Sequence, residues 1–112
     1  LQHAAVAALT GPQDCIAATA AEYQRRRDIM VDGFNAMGWQ VPRPKGSMFV
    51  WAPVPNGQTS FAFTASMLEN AGVAVVPGVA FGPHGEGYVR IALVQPQERI
   101  RQAVERIAKW LG

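Results

Sequence analysis

Apolar residues recur at steps of three and four along much of the chain, the spacing that predicts α-helices. A first, alanine-rich stretch ends at Thr10-Gly11-Pro12, and a second, of about 24 residues or roughly 36 Å of helix, ends at Gly38. Pro12 is suited to the first position of this second helix, with Gly11 as its N-cap. The predicted stripe of the long helix consists of Ile16, Ala20, Tyr23, Arg27, Met30, Phe34 and Met37.

Two shorter helical stretches follow, one in the middle of the chain and one at its end. Thr59 or Ser60 is suited to cap the middle helix and Gly72 to end it, whereas Gln95-Pro96 opens the last helix. The predicted buried stripes are Phe61, Ala65, Leu68 and Ala71 for the middle helix, and Ile100, Ala103, Val104, Ile107 and Leu111 for the last.

Three short apolar runs predict β-strands, separated by loops rich in proline and glycine. They cover residues 47–52 (SMFVWA), 73–76 (VAVV) and 88–94 (YVRIALV), and Phe49 and Trp51 are expected to lie mostly in the core. The predicted order is helix, long helix, strand, helix, strand, strand, helix. This order is typical of an α+β fold in which helices cover a small sheet of about three strands.

Composition and charge limit the classes of function. The 112 residues suit one domain, and the hydrophobic share of 49% is typical of a globular protein. Lys plus Arg is 10 and Asp plus Glu is 8, and a net charge of +2 gives no electrostatic case for nucleic acid or an anionic membrane. No apolar run approaches about 18 residues, so no membrane-spanning helix is expected. With a single cysteine, Cys15, and with His3 and His84 isolated, no metal site is expected, and these three are interpreted as structural or surface residues.

Arg90 is the most informative residue, because it lies in the middle of an otherwise apolar strand. Val89, Ile91 and Leu93 would face one side of the sheet and Arg90 the other. A guanidinium there is costly unless something pairs with it. Three interpretations stay open: an edge strand with Arg90 in solvent, an ion pair with Glu86, or a receptor for a carboxylate, which the planar guanidinium binds through two parallel hydrogen bonds.

Other conspicuous residues have structural interpretations. The run Arg25-Arg26-Arg27 is expected to be a solvated helix face, because consecutive helical residues point about 100° apart. Gly82, Gly85 and Gly87 are expected to serve turn geometry ahead of the Arg90 strand, since no GxGxxG motif opens a helix there.

The segments around Arg90 resemble those of a known family. GEGYVRIAL, VAVVPGVAFG and PKGSMFVWAPVP, with the opening LQHAAVAALTGPQD and the helical EYQRRRDIMVDGF, are similar in order and content to the C-terminal part of class I/II aminotransferases. These are pyridoxal-phosphate enzymes of fold type I. The resemblance covers essentially the whole chain and is greatest to the alanine (glutamate–pyruvate) and LL-diaminopimelate types.

The resemblance implies a division of the chain and roles for two residues. Residues 1–12 would be the tail of the large-domain helical region and residues 13–112 the small C-terminal domain, with the long helix running between the domains. Arg90 would bind the α-carboxylate of the substrate, and Met48 would lie near the substrate side chain. The substrates would be an alanine- or glutamate-like L-amino acid and a 2-oxo acid, with LL-diaminopimelate or aspartate as alternative amino donors.

The same resemblance implies that catalysis needs residues outside this chain. In the family, the Schiff-base lysine and most groups that hold pyridoxal 5'-phosphate lie upstream, in the large domain. Lys45 lies in a Pro/Gly turn and Lys109 on the exposed side of the last helix, and neither has a neighbour that would activate it. No catalytic residue is therefore expected here, and the isolated chain should not transaminate. The whole enzyme would be a homodimer, and the lack of a targeting segment predicts a cytoplasmic location.

A different class of function stays open beside this one. The chain could be a stand-alone regulatory module that binds a free amino acid through Arg90 and needs no cofactor. The helical pattern begins at once, at Leu1 and without a methionine, which favours a piece of a longer protein over such a module.

Overall fold

The computed structural model describes all residues from Leu1 to Gly112 and contains four α-helices and a three-stranded antiparallel sheet. This confirms the predicted α+β fold. No helix is both long and apolar enough to cross a membrane. The helices are α1 (Gln2–Thr10), α2 (Asp14–Ala36), α3 (Ser60–Ala71) and α4 (Gln97–Leu111), and the strands are β1 (Phe49–Pro53), β2 (Val76–Pro77) and β3 (Tyr88–Ala92).

The last strand in the sequence, β3, is the central strand of the sheet, whose order is β1-β3-β2. Both neighbours run antiparallel to it, and Arg90 is opposite Trp51 on one side and Val76 on the other. The interpretation of β3 as an edge strand with Arg90 in solvent is therefore wrong. β2 overlaps the predicted run 73–76 only at its last residue and ends at Pro77, which has no N–H to continue a ladder.

One face of the sheet packs against the helices and forms the core. Val50 and Ala52 of β1, with Val89 and Ile91 of β3, alternate onto this face and are buried. Burying a large aliphatic or aromatic side chain contributes roughly 1.5–3 kcal/mol to folding, so a few such residues dominate the stability of the domain. The largest fully buried helical side chains are Phe34, Phe63, Met67 and Ile107.

α3 begins and ends where the sequence predicts, but it buries a different face. The Thr59 hydroxyl accepts a hydrogen bond from the Ala62 N–H, and Gly72 ends the helix in the left-handed conformation, with φ of 64°. The predicted stripe is wrong at Phe61 and Leu68, which are exposed. The sequence SFAFTASMLENA is apolar on two faces, so spacing alone does not distinguish them. The buried residues of α3 are Ser60, Phe63, Met67 and Ala71.

α2 begins at Asp14, two residues later than predicted, and Gln13 rather than Gly11 occupies its N-cap position. The Gln13 side-chain amide donates to the carbonyl oxygens of Ala8 and Gly11, at 2.8 and 2.9 Å, which keeps the residues before α2 in a bend. Ile16, predicted to belong to the buried stripe, is 60% exposed. The N-terminal half of α2 and all of α1 therefore extend beyond the core, and the fully buried residues of α2 are Met30, Val31 and Phe34.

Candidate functional site

Arg90 points onto the face of the sheet opposite the core, where two aromatic rings hold its guanidinium. The Cζ atom lies 4.2 Å from the centroid of the Phe49 ring and 4.4 Å from the centroid of the Phe81 ring. A cation over an aromatic face is stabilised by about 0.5–2 kcal/mol, more as the pair is desolvated. One ring comes from β1 and the other from the loop before β3, so the cation is fixed from two separate segments.

The guanidinium N–H groups of Arg90 have no acceptor in the chain. All ion pairs involve other arginines, and the guanidinium makes no hydrogen bond. The alternative of an ion pair with Glu86 is wrong, because the Glu86 carboxylate accepts from the Ser60 N–H, the Ser60 hydroxyl and the Gly87 N–H. The Ser60 N–H is the largest cause that holds the pKa of Glu86 below its ordinary value. A half-buried guanidinium with free donors fits the remaining interpretation, a receptor for a carboxylate.

Trp51 and Tyr88 extend the aromatic surface around Arg90. Their rings are stacked with centroids 5.6 Å apart, and the Phe81 ring meets Trp51 edge-on at 5.9 Å. Trp51 is 38% exposed and Phe49 only half-buried, so the prediction that both lie mostly in the core is wrong. The reason is the alternation of β1, whose intervening residues take the buried face. We call Arg90, Phe49, Trp51, Phe81 and Tyr88 together the aromatic face.

The loop of residues 78–87 carries Phe81 to the aromatic face and is built on glycines. Two of them have φ of 113° and 84°, which residues with a side chain rarely adopt. Gly78 and Gly85 approach so closely that a Cβ on Gly78 would lie 2.0 Å from the Gly85 carbonyl oxygen. The predicted role in turn geometry is confirmed for Gly82, Gly85 and Gly87.

Met48 lines a cleft of about 700 Å³ between the N-terminal half of α2 and residues 45–49. Its side chain is 37% exposed, and the neighbouring Phe49 also lines the cleft. Phe49 therefore contacts Arg90 and borders the same space as Met48. The Arg27 guanidinium donates to the Pro44 carbonyl oxygen at 3.0 Å, which holds this segment close to α2.

The two lysines lack the surroundings of a Schiff-base lysine. Lys45 and Lys109 are exposed, and neither makes a hydrogen bond or an ion pair. A catalytic lysine is activated by desolvation or by a cationic partner, and the exposure of both side chains provides no desolvation. His3 and His84 are exposed, Cys15 is an exposed free thiol, and no three His, Cys, Asp or Glu side chains cluster to hold a metal ion.

The arginine run of α2 is only partly solvated, which corrects the prediction of a solvated face. Arg26 donates to the Leu93 carbonyl oxygen at 3.1 Å and to the Glu22 carboxylate at 2.8 Å. Arg27 holds the segment before β1, and only Arg25 is exposed. These long side chains reach across because their aliphatic stems cover apolar surface while the charged ends find acceptors. Two of the three arginines thus connect α2 to the segments that border the sheet.

Sequence reasoning missed Phe81 and the pair of Ser60 and Glu86. Phe81 is the only aromatic residue in the glycine- and proline-rich segment PGVAFGPHG, and an aromatic side chain set among turn residues was the available signal. The Ser60–Glu86 contact joins residues 26 positions apart, and no local pattern contains that information.

Comparison with known proteins gives consistent matches over the chain. The family model for aminotransferase class I and II matches residues 1–107. An LL-diaminopimelate aminotransferase from Moorella thermoacetica is 51% identical, over 100% of this chain and 29% of that protein. The glutamate-pyruvate aminotransferase AlaC of Escherichia coli K12 is 46% identical, over 96% of this chain and 27% of that protein. The apo structure of BacF from Bacillus subtilis matches with a TM-score of 0.89 at 40% identity, over 97% of this chain and 28% of that one.

The two aminotransferases differ in the reactions that their names state. This chain spans less than a third of their length, 29% of the first and 27% of the second. The family model covers residues 1–107, and the structural match covers 97% of the chain. The resemblance seen in the sequence is therefore confirmed, and the chain belongs to the class I and II aminotransferase family.

Proposed function

We propose that this chain supplies the substrate-carboxylate contact of an enzyme that transfers an amino group between an L-amino acid and a 2-oxo acid. One observation carries the proposal: Arg90 is half-buried, its N–H donors are free, and Phe49 and Phe81 hold it at 4.2 and 4.4 Å. Keeping a desolvated cation without a protein anion is costly, and a ligand carboxylate would offset that cost.

Arg90 would bind the α-carboxylate that both substrates have in common. Two parallel N–H···O bonds fix the direction of the carboxylate, and hence the direction of the bond that joins it to the substrate Cα. Holding a reacting group in one orientation is itself a large contribution to catalysis. The contact selects α-amino and 2-oxo acids as a class, and it serves both half-reactions equally.

Residues outside this chain would carry out the steps of the reaction other than carboxylate binding. Pyridoxal 5'-phosphate, bound by the large domain of the same polypeptide, would supply the electron sink of the reaction. Residues 1–12 would be the tail of that large domain, and residues 13–112 the small domain, with α2 between them. The exposed apolar residues Val6, Leu9 and Ile16 support this division, because they lie on α1 and the projecting half of α2. A homodimer belongs to the same proposal and rests on the family resemblance.

The cleft beside Phe49 is the proposed location of the substrate side chain, with Met48 as a contact. Half of its lining is apolar, which suits a short aliphatic side chain such as that of alanine, and Lys45 in the same lining suits the carboxylate of a glutamate-like side chain. A second amino donor, LL-diaminopimelate, is favoured by the 51% identity to the aminotransferase of that name from Moorella thermoacetica.

The direct test is the absorption spectrum of the complete natural polypeptide that contains this sequence, before and after addition of L-alanine. We expect a bound-cofactor band that converts to the pyridoxamine form when the amino acid is added. A band that responds to LL-diaminopimelate, glutamate or aspartate and not to alanine would keep the aminotransferase and change its substrate. A folded protein that takes up no pyridoxal phosphate would contradict the proposal and favour the stand-alone amino-acid-binding module.

A further inference from the structure

We propose that Glu86 is a positioning residue for Arg90. By holding the loop of residues 78–87 on the first turn of α3, it keeps the Phe81 ring on the Arg90 guanidinium. The inference rests on the proposed role of Arg90 in binding the substrate carboxylate. Glu86 makes no ion pair with Arg90, so its influence passes through the loop and Phe81.

The anchor between Glu86 and α3 consists of several hydrogen bonds to one carboxylate. The Ser60 N–H donates to Oε1 at 2.6 Å, and the Ser60 hydroxyl donates to Oε2 at 3.0 Å. The Gly87 N–H donates to Oε1 at 3.0 Å. The Ser60 hydroxyl in turn accepts from the Val79 N–H at 3.4 Å, which adds the start of the loop to the same cluster. Ser60 is fully buried, so these bonds replace solvent contacts that its polar atoms have lost.

The loop is compact enough to transmit this anchor to Phe81. Gly78 and Gly85 are in backbone contact, closing the loop at its base. Phe81 lies between these two glycines in sequence, and its 3₁₀ turn, residues 78–81, begins at the contact. A displacement of Glu86 therefore moves the closed loop as a unit rather than one side chain.

Phe81 depends on this anchor more than Phe49 does. Phe49 belongs to β1, where pairing with Ala92 of β3 fixes its backbone. Phe81 is 49% exposed, belongs to no strand, and contacts Arg90 and the ring of Trp51. The Arg90 guanidinium makes no hydrogen bond, so loss of the Phe81 ring removes one of the two aromatic contacts that hold it.

The Glu86 oxygens are occupied by Ser60 and Gly87 and make no contact with the Arg90 donors. Release of the anchor would therefore weaken substrate binding by loosening Phe81.

The test uses the complete polypeptide loaded with pyridoxal phosphate. The single variants are Glu86→Gln, Ser60→Ala, Phe81→Leu, Phe81→Tyr and Arg90→Lys, and the double variant is Phe81→Leu/Glu86→Gln. Glu69→Gln is the matched control, because Glu69 is an exposed carboxylate on α3 that makes no hydrogen bond. We expect Phe81→Leu to raise KM for both the amino acid and the 2-oxo acid by about 2- to 30-fold, the range of one cation–π contact. Glu86→Gln and Ser60→Ala should also raise both KM values, and kcat should change by less than about 2-fold.

The double variant separates positioning from a general structural role. If Glu86 acts through Phe81, adding Glu86→Gln to Phe81→Leu changes KM little further, and Phe81→Tyr restores binding. Multiplied KM effects in the double variant, or a loss of kcat and thermal stability with KM unchanged, would overturn the inference. Weak binding in Arg90→Lys with normal KM in Glu86→Gln and Ser60→Ala would overturn it while leaving the proposed function intact. Normal binding in Arg90→Lys would instead count against the proposed function itself.

Discussion

The Phe49 ring and the Arg90 guanidinium are diagonal neighbours across the β1–β3 pair, with Cζ 4.2 Å from the ring centroid. Arg90 is directly opposite Trp51, and Phe49 is two residues from that position. Diagonal cross-strand residues are roughly 7–8 Å apart, a span that a long side chain and an aromatic ring can close. The cation is therefore fixed by strand register rather than by a carboxylate, and its hydrogen-bond donors stay available for a ligand.

Removing the Phe49 ring should weaken carboxylate binding. In the complete polypeptide, we expect Phe49→Leu to raise the Kd of both substrates by about 2- to 30-fold, because one cation–π contact is lost while an apolar side chain remains. Titration of the cofactor spectrum with the amino acid measures this Kd. Phe61→Leu is the control, since Phe61 is 70% exposed on α3 and outside the aromatic face. Equal Kd values in the two variants would contradict the role of Phe49.

A methyl group at Gly78 should disrupt the loop that carries Phe81. The Cβ of Gly78→Ala would lie 2.0 Å from the Gly85 carbonyl oxygen, so the two backbones must separate. We expect a lower melting temperature and weaker binding of both substrates. Gly46→Ala is the matched control for the melting temperature, because nothing lies within 4 Å of its Cβ position and its φ is not positive. If Gly78→Ala melts like Gly46→Ala and binds both substrates like the wild type, the close contact does not exist in solution.

The hydroxyl of Thr59 should stabilise α3 as an N-cap. Thr59→Ala removes the acceptor of the Ala62 N–H at 3.2 Å, and loss of such a cap costs about 1 kcal/mol of the free energy of unfolding. Thermal or chemical denaturation measures the change. Thr19→Ala is the comparison, because Thr19 is exposed within α2 and caps nothing. Equal stability of the two variants would show that the Thr59 hydroxyl does not stabilise α3.

Acid should loosen the segments that carboxylates hold in place. The pKa of Glu86 is lowered mainly by the Ser60 N–H, and the pKa of Glu22 is lowered mainly by its hydrogen bond from Arg26. A lowered pKa means that the stabilisation is present above the ordinary pKa of 4.5 and is lost as the pH falls through the folded value. We expect the melting temperature to fall below pH 4.5, and Glu86→Gln to reduce the size of that fall. An acid transition identical in Glu86→Gln and wild type would show that Glu86 does not contribute.

Local patterns in the sequence predicted the elements of the fold better than their packing. The Thr59 cap and the Gly72 terminus were predicted because a hydroxyl and a left-handed glycine act on their immediate neighbours. The buried face of α3 was not, since Phe61 and Phe63 both follow an apolar pattern and only tertiary packing chooses between them. The resemblance to a known family identified the fold of the whole chain, because it compares segments that are distant from each other in sequence.

The sequence pattern identified the residue at the centre of the candidate site but not the residues that surround it. Arg90 was identified because a charge in an apolar strand is costly wherever that strand lies. The side chains that contact Arg90 were not predicted. The alternative of a pairing with Glu86 fails because the start of α3 brings Ser60 to that carboxylate. The ring of Phe81 reaches Arg90 through a closed loop, and such long-range closure has no signature in local spacing.

The most direct test of the central claim is the affinity of the complete, cofactor-loaded polypeptide for its amino and 2-oxo acid substrates in Arg90→Lys. Arg101→Lys is the control, because Arg101 is exposed on α4 and makes no ion pair. Lysine keeps the charge and loses the planar fork, so we expect Arg90→Lys to weaken both substrates together by about 10- to 150-fold, the range for hydrogen bonds to a charged group. Affinities for both acids that match those of Arg101→Lys would contradict the assignment of Arg90 as the carboxylate receptor.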